Sequence, residues 1–114
     1  MKHEDKQPSL KKLVARNKQK MREIAYRRGL TIQSYQLMEE MAELTQALNK
    51  LNRVRGIGEE TNCTFDKALE HIVEEVADVE NLLYQIKYLL CINKEDIHAI
   101  INKKTDRSLK RLSK

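Results

Sequence analysis

The sequence predicts an all-α fold, a four-helix, bundle-like subunit that assembles into an oligomer. Three observations carry this. The 114 residues contain only three Gly and one Pro, too few breakers for a multi-stranded sheet with its turns. Apolar residues recur at spacings of three and four along most of the chain, the period of a helix packed on one face. Only one segment, Gly56–Cys63 (GIGEETNC), reads as a true internal loop.

The elements follow in order. Ser9 after Pro8 suits an N-cap, and helix-compatible sequence runs from there to Arg28, with Gly29 as its stop. The apolar stripe of this first helix is thin and its surface is strongly basic. A second helix is expected from about Thr31 to Arg55. Its Leu37, Met41, Leu44, Leu48 and Leu51 repeat by four and three, a bundle seam, and Gly56 and Gly58 end it. The third runs from Thr64 or Phe65 to Leu90, with a broad stripe that includes Leu69, Val76, Leu82 and Ile86. The last spans about Lys94 to Leu112, with Ile97, Ile100, Ile101, Leu109 and Leu112 expected to face inward. The third helix has more apolar surface than three short partners can cover, so a homodimer or homotetramer is expected.

Composition narrows the function classes. No apolar run approaches 18 residues and the start of the chain has no apolar signal core, so no membrane partner and a cytoplasmic protein are expected. Cys63 and Cys91 lack CxxC spacing and suit idle thiols in a reducing compartment. The net charge of +5 conceals an asymmetry: residues 1–30 carry +7, residues 31–100 carry −7 and residues 101–114 carry +5. An acidic middle between basic ends suits either a metal-and-phosphate site or a nucleic-acid binder with a basic arm.

The acids favour the former. Glu39, Glu40 and Glu43 read EExxE on the second helix, and Glu75 and Asp78 read ExxD on the third. On a helical wheel Glu40 and Glu43 flank the leucine seam, Glu75 falls inside the apolar sector and Asp78 on its edge. A carboxylate in an apolar sector is costly to bury unpaired, and a hard divalent cation relieves that cost by taking several carboxylate oxygens at once. On the fourth helix Asn102, Lys104 and Arg107 form an N-x-K-x-x-R run.

EExxE, then ExxD, then this basic run resembles the all-α nucleoside triphosphate pyrophosphohydrolases, the MazG-like proteins and the dimeric dUTPases. The resemblance covers about residues 31–110, in the family's order. It implies a MazG-like domain over 31–114, with residues 1–30 as a basic N-terminal helix or arm of the same single domain. It implies Mg2+, or Mn2+ in its place, held by Glu40, Glu43, Glu75 and Asp78. It also implies phosphate oxygens held by Asn102, Lys104 and Arg107, and cleavage of a nucleotide substrate between the α and β phosphates. Glu39 is the candidate to orient or deprotonate the attacking water. The chain departs from the family in two respects. The 31 residues between Glu43 and Glu75 exceed the spacing of small MazG-like members, and the first helix is unusually basic.

Two rivals remain. A di-iron bundle wants two ExxH pairs, and only Glu95–His98 offers one, while His3 and His71 lack partner spacing. A nucleic-acid-binding or architectural protein would use the basic arm along a phosphate backbone, yet the aromatics are not interleaved with its charges. With no Trp in the chain, base stacking would fall to Tyr35, Phe65, Tyr84 or Tyr88, although a Tyr at helical spacing is more often core.

Overall fold

Among the described residues, capping chemistry and glycine placement set out four helices: α1 (Leu10–Arg28), α2 (Leu30–Val54), α3 (Phe65–Leu89) and α4 (Lys94–Leu112). The computed structural model describes residues 7–113, so the first six residues of the basic arm, with His3, lie outside the described residues. The Ser9 hydroxyl accepts the Lys12 N–H at 3.3 Å and opens α1, and Thr64 does the same for Lys67 at the start of α3. Asn93 caps α4 by accepting the Glu95 N–H at 3.0 Å, and Glu95 and Asp96 in that first turn suit the positive end of the helix dipole. Gly29 alone separates α1 from α2. Its φ of 86° lies in the region where a side chain is disfavoured, which lets the chain turn sharply within one residue.

The core is narrow. Ala25 of α1, Leu37 and Ala47 of α2, and Ala68 and Leu82 of α3 are its buried apolar side chains. Three of the five are alanines, small enough for the helix backbones to approach closely. α2 and α3 form the main antiparallel pair, and α1 packs chiefly against α3. The residue numbers of the facing polar pairs along α2 and α3 add to 118: Gln33 with Gln85, Glu40 with Asp78, and Glu43 with Glu75. One register therefore stacks three polar layers along a single seam.

The fourth helix corrects the expectation that its apolar residues face inward. α4 packs against none of the other three helices. Ile100, Ile101, Leu109 and Leu112, expected to face inward, are exposed, with Leu112 80% accessible. The periodicity correctly reported a helix with an apolar face, but an apolar stripe only says that a face wants cover, not which surface covers it. Much of the α3 stripe is open too, with Val73 61% and Leu69 45% exposed. The protomer exposes 10032 Å2, against about 6,500 Å2 for a compact protein of this mass. Its radius of gyration is 18.5 Å, against roughly 13 Å for a compact chain of this length. Among the described residues no helix is long and apolar enough to cross a membrane.

Candidate metal centre

Glu40 and Glu43 project from one side of α2, three residues apart and so nearly one turn apart. Glu75 faces them from α3. Each of the three offers a carboxylate oxygen such that all three oxygens lie within 4.8 Å of one another. Glu75 is the deepest, 7% exposed, as expected for an acid in the apolar sector of α3. Glu40 is half-buried and Glu43 is exposed, so the group opens from a buried floor toward solvent.

The two inner acids are held in the same way. Gln36, one turn before Glu40, donates its Nε2–H to Glu40 Oε1 at 3.0 Å. His71, one turn before Glu75, places its Nε2 3.2 Å from Glu75 Oε1. In each acid the second oxygen, Oε2, is buried and has no hydrogen-bond partner. One oxygen of each carboxylate is thus fixed by a neighbour on its own helix, and the other is left open. A buried acceptor without a donor is costly, and carboxylate oxygens gathered within 4.8 Å of one another are a donor set for a hard cation. Carboxylates already oriented by hydrogen bonds lose less freedom when they take up an ion.

Asp78 stands beside Glu40 and is largely exposed. Partial loss of hydration, then the negative charge of the adjacent Glu40, raise the Asp78 carboxyl above its ordinary range. Asp78 borders the group as a neighbour of Glu40, one layer along the seam from Glu43 and Glu75, and is not one of the three acids whose oxygens converge. Among the described residues the Lys or Arg ion pair is Arg27–Glu23, so no Lys or Arg neutralises the group, and His71 touches it as a hydrogen-bonding neighbour.

The other expected residues sit elsewhere. Glu39 is exposed and is not part of the converging trio. Asn102, Lys104 and Arg107 lie on α4, fully in solvent, and the chain's own fold does not bring them to the acids. His71 and Gln36 were not singled out from sequence as supports. Their signal was present, because both lie four residues before an acid of the group and so share its helix face.

A small cavity of about 240 Å3 continues from Glu40 and Asp78 along the α2–α3 seam toward Gln33 and Gln85. Those two glutamines are the largest fully buried side chains of the protein, joined by a 2.6 Å hydrogen bond from Gln33 Nε2 to Gln85 Oε1. Comparison with protein-family models, with curated proteins and with solved structures finds no match to this chain, and the chemistry of the site is read from its own residues.

Proposed function

We propose that the chain is a Mg2+-dependent nucleotide pyrophosphohydrolase, cleaving (deoxy)nucleoside triphosphates to a monophosphate and pyrophosphate. The observation that carries this reading is Glu75, an acid more than nine-tenths buried, with one oxygen that lacks a hydrogen-bond partner, in a group of three carboxylates that among the described residues no Lys or Arg neutralises. Glu40, Glu43 and Glu75, with Asp78 alongside, would hold Mg2+, or Mn2+ in its place. Oxygen-only donors and convergence from two helices suit such an ion. When bound, the ion supplies charge neutralisation and Lewis acidity at a phosphate group.

The reaction adds water oxygen to the α-phosphorus and breaks the bond from that phosphorus to the bridging oxygen, which leaves with pyrophosphate. Phosphoryl transfer asks mainly for positioning and for compensation of charge. Lys104 supplies a point charge, Arg107 a planar fork and Asn102 an amide to the triphosphate oxygens. Glu39 keeps the role of orienting water only if substrate binding draws that exposed face of α2 into the site.

The α4 residues reach an acidic group through assembly, in a homodimer or homotetramer. α4 carries six basic and three acidic residues, while α3 carries six acidic and two basic ones. Both helices present uncovered apolar stripes, so α4 of one copy docking on a second copy would cover apolar surface and pair opposite charge at once. The excess of about 3,500 Å2 over a compact chain falls in the range of obligate interfaces. Two free cysteines, Cys63 and Cys91, fit a cytoplasmic setting.

The test is pyrophosphate release from a panel of ribo- and deoxynucleoside triphosphates, with and without Mg2+, beside Glu75→Gln. Release that needs both the ion and Glu75 supports the reading. No release from a folded protein on any substrate overturns it. One observation favours a second reading, in which the chain binds nucleic acid: all eight basic side chains of α1 are exposed, and among the described residues only Arg27 of them is ion-paired. Salt-dependent DNA or RNA binding that is lost on neutralising α1, together with no pyrophosphate release, would favour that reading instead.

A further inference from the structure

The cavity beside the acids is built around a chain of three side-chain amides. Gln33 Nε2 donates to Gln85 Oε1 at 2.6 Å, and Gln85 Nε2 donates to Asn81 Oδ1 at 2.7 Å. Gln33 and Gln85 are 1% and 2% exposed, whereas Asn81 lies at the exposed end. All three border the cavity, with Ile24 and Leu82 as apolar walls and Arg28 at the rim.

Burying two glutamines in so narrow a core is expensive unless the polarity is used. The far end of the chain shows that it is not fully spent, because Gln33 Oε1 is buried and has no partner. A donor on that atom would lock the direction of the whole chain. Without one, the three amides can turn over together. Asn81 then donates to Gln85, and Gln85 donates to Gln33. In the first direction Asn81 keeps its amide N–H free as a donor at the cavity. In the second it keeps its carbonyl oxygen free as an acceptor.

We propose that this cavity seats the base of a nucleotide and that the amide chain reads its hydrogen-bonding edge with reversible polarity, accepting amino and keto bases alike. The inference rests on the nucleotide reading of the acidic group and adds what the site recognises. Position supports it. Gln33 lies seven residues before Glu40, and Gln85 seven after Asp78, which places the amides about 10 Å along both helices from the acids. That is the direction and scale of a nucleoside extending from its α-phosphate. A volume of about 240 Å3 is below the roughly 300–1,000 Å3 of cavities that enclose a whole drug-sized ligand, and so suits the base end alone. The guanidinium of Arg28 offers a flat cation for the face of the base.

The proposal has a polarity test. Cytosine and uracil share a ring and differ by an amino-for-keto exchange with the matching change at the adjacent ring nitrogen. The native protein should turn over CTP and UTP with kcat/KM values within about threefold of each other. Asn81→Asp replaces the reversible amide by a group that only accepts, so Gln85 must donate to it and the cavity sees a fixed acceptor. The CTP/UTP ratio should then rise by about tenfold, whatever happens to the absolute rate. A ratio unmoved in an active Asn81→Asp protein overturns the proposal, as does strong discrimination between CTP and UTP by the native protein.

A metal-free measurement keeps this separate from the chemistry. The side-chain amide NMR signals of Asn81 and Gln85 should shift with CMP and with UMP but not with ribose 5-phosphate. Shifts without any pyrophosphate release would uphold the base pocket and sink the hydrolase reading. Pyrophosphate release with unmoved amides would do the reverse.

Discussion

The α2–α3 pair and α4 are built from similar material and have opposite fates. Each contains amphipathic helix with charged residues along one side and aliphatic residues along another. In α2 and α3 the aliphatic sides meet, and the charged residues that share the seam are brought into three polar layers at one register. In α4 no other helix packs on the aliphatic side, and Asn102, Lys104 and Arg107 are left exposed. The lesson is that a helix pair can hold its own acids, because each helix orients the other's side chains. A lone helix can only carry residues to a site that some further surface completes.

The sharpest way to break that comparison is to remove its deepest acid. Glu75→Gln should lower pyrophosphate release by at least about a hundredfold, since the buried ligand and its charge are lost together. Its melting temperature without Mg2+ should equal or exceed that of the native protein, because one of several crowded negative charges is gone. A variant that is both inactive and less stable would mean that Glu75 serves the fold rather than the ion.

The complementary test falls on α4. Ile101→Glu alters a side chain already 46% exposed within its own chain, so an isolated protomer should change in stability by no more than about 0.5 kcal/mol. If α4 completes the site of another copy, the same variant should dissociate the assembly in sedimentation velocity and reduce turnover with it. A native protein that sediments as a monomer would end the comparison on different terms, leaving α4 without a partner copy.

A smaller effect follows from the ion itself. Mg2+ at a hundred times its Kd should stabilise the α2–α3 pair by about 2.7 kcal/mol, seen as a raised melting temperature that chelation reverses. Glu75→Gln should lose most of that increment, and Ile101→Glu should keep it. Equal loss in both variants would show that ion binding depends on assembly.

The mildest prediction concerns pH. The Asp78 carboxyl is raised in the fold by partial loss of hydration and by Glu40, so between its ordinary value near 3.8 and its raised value the native state binds more protons than the unfolded state. Stability from this group therefore grows as pH falls from neutral into that window and is lost again as pH rises through the raised value. In metal-free protein, Asp78→Asn should flatten that slope in melting temperature against pH. A slope unchanged by the substitution would mean that Glu40 and Asp78 do not share a proton-sensitive contact.

Much of the fold was legible before any coordinates. Ser9 and Thr64 cap where short polar side chains can meet free N–H groups, and Gly29, Gly56 and Gly58 turn where φ is positive. The helix limits followed from these local effects to within a residue or so. The acids were legible as a pattern, because an ExxE and an ExxD each place two carboxylates on a common face. His71 and Gln36 were hidden among the many i,i+4 pairs of any charged helix, and only the buried position of Glu75 distinguishes His71 as its support. Gln33 and Gln85, 52 residues apart, carried no local signal at all.

The sequence by itself determined where each helix begins and ends, which faces are apolar and which acids share a face. Those properties depend on hydrogen bonds and side-chain spacings within a few residues of one another. Tertiary structure alone decided the register that sets Gln33 against Gln85, Glu40 against Asp78 and Glu43 against Glu75, and it alone left α4 unpacked. Register and docking are fixed by the fit of whole surfaces, here a seam of alanines and leucines close enough to bury two amides. That fit is a property of pairs of helices, which the local pattern of one helix does not contain.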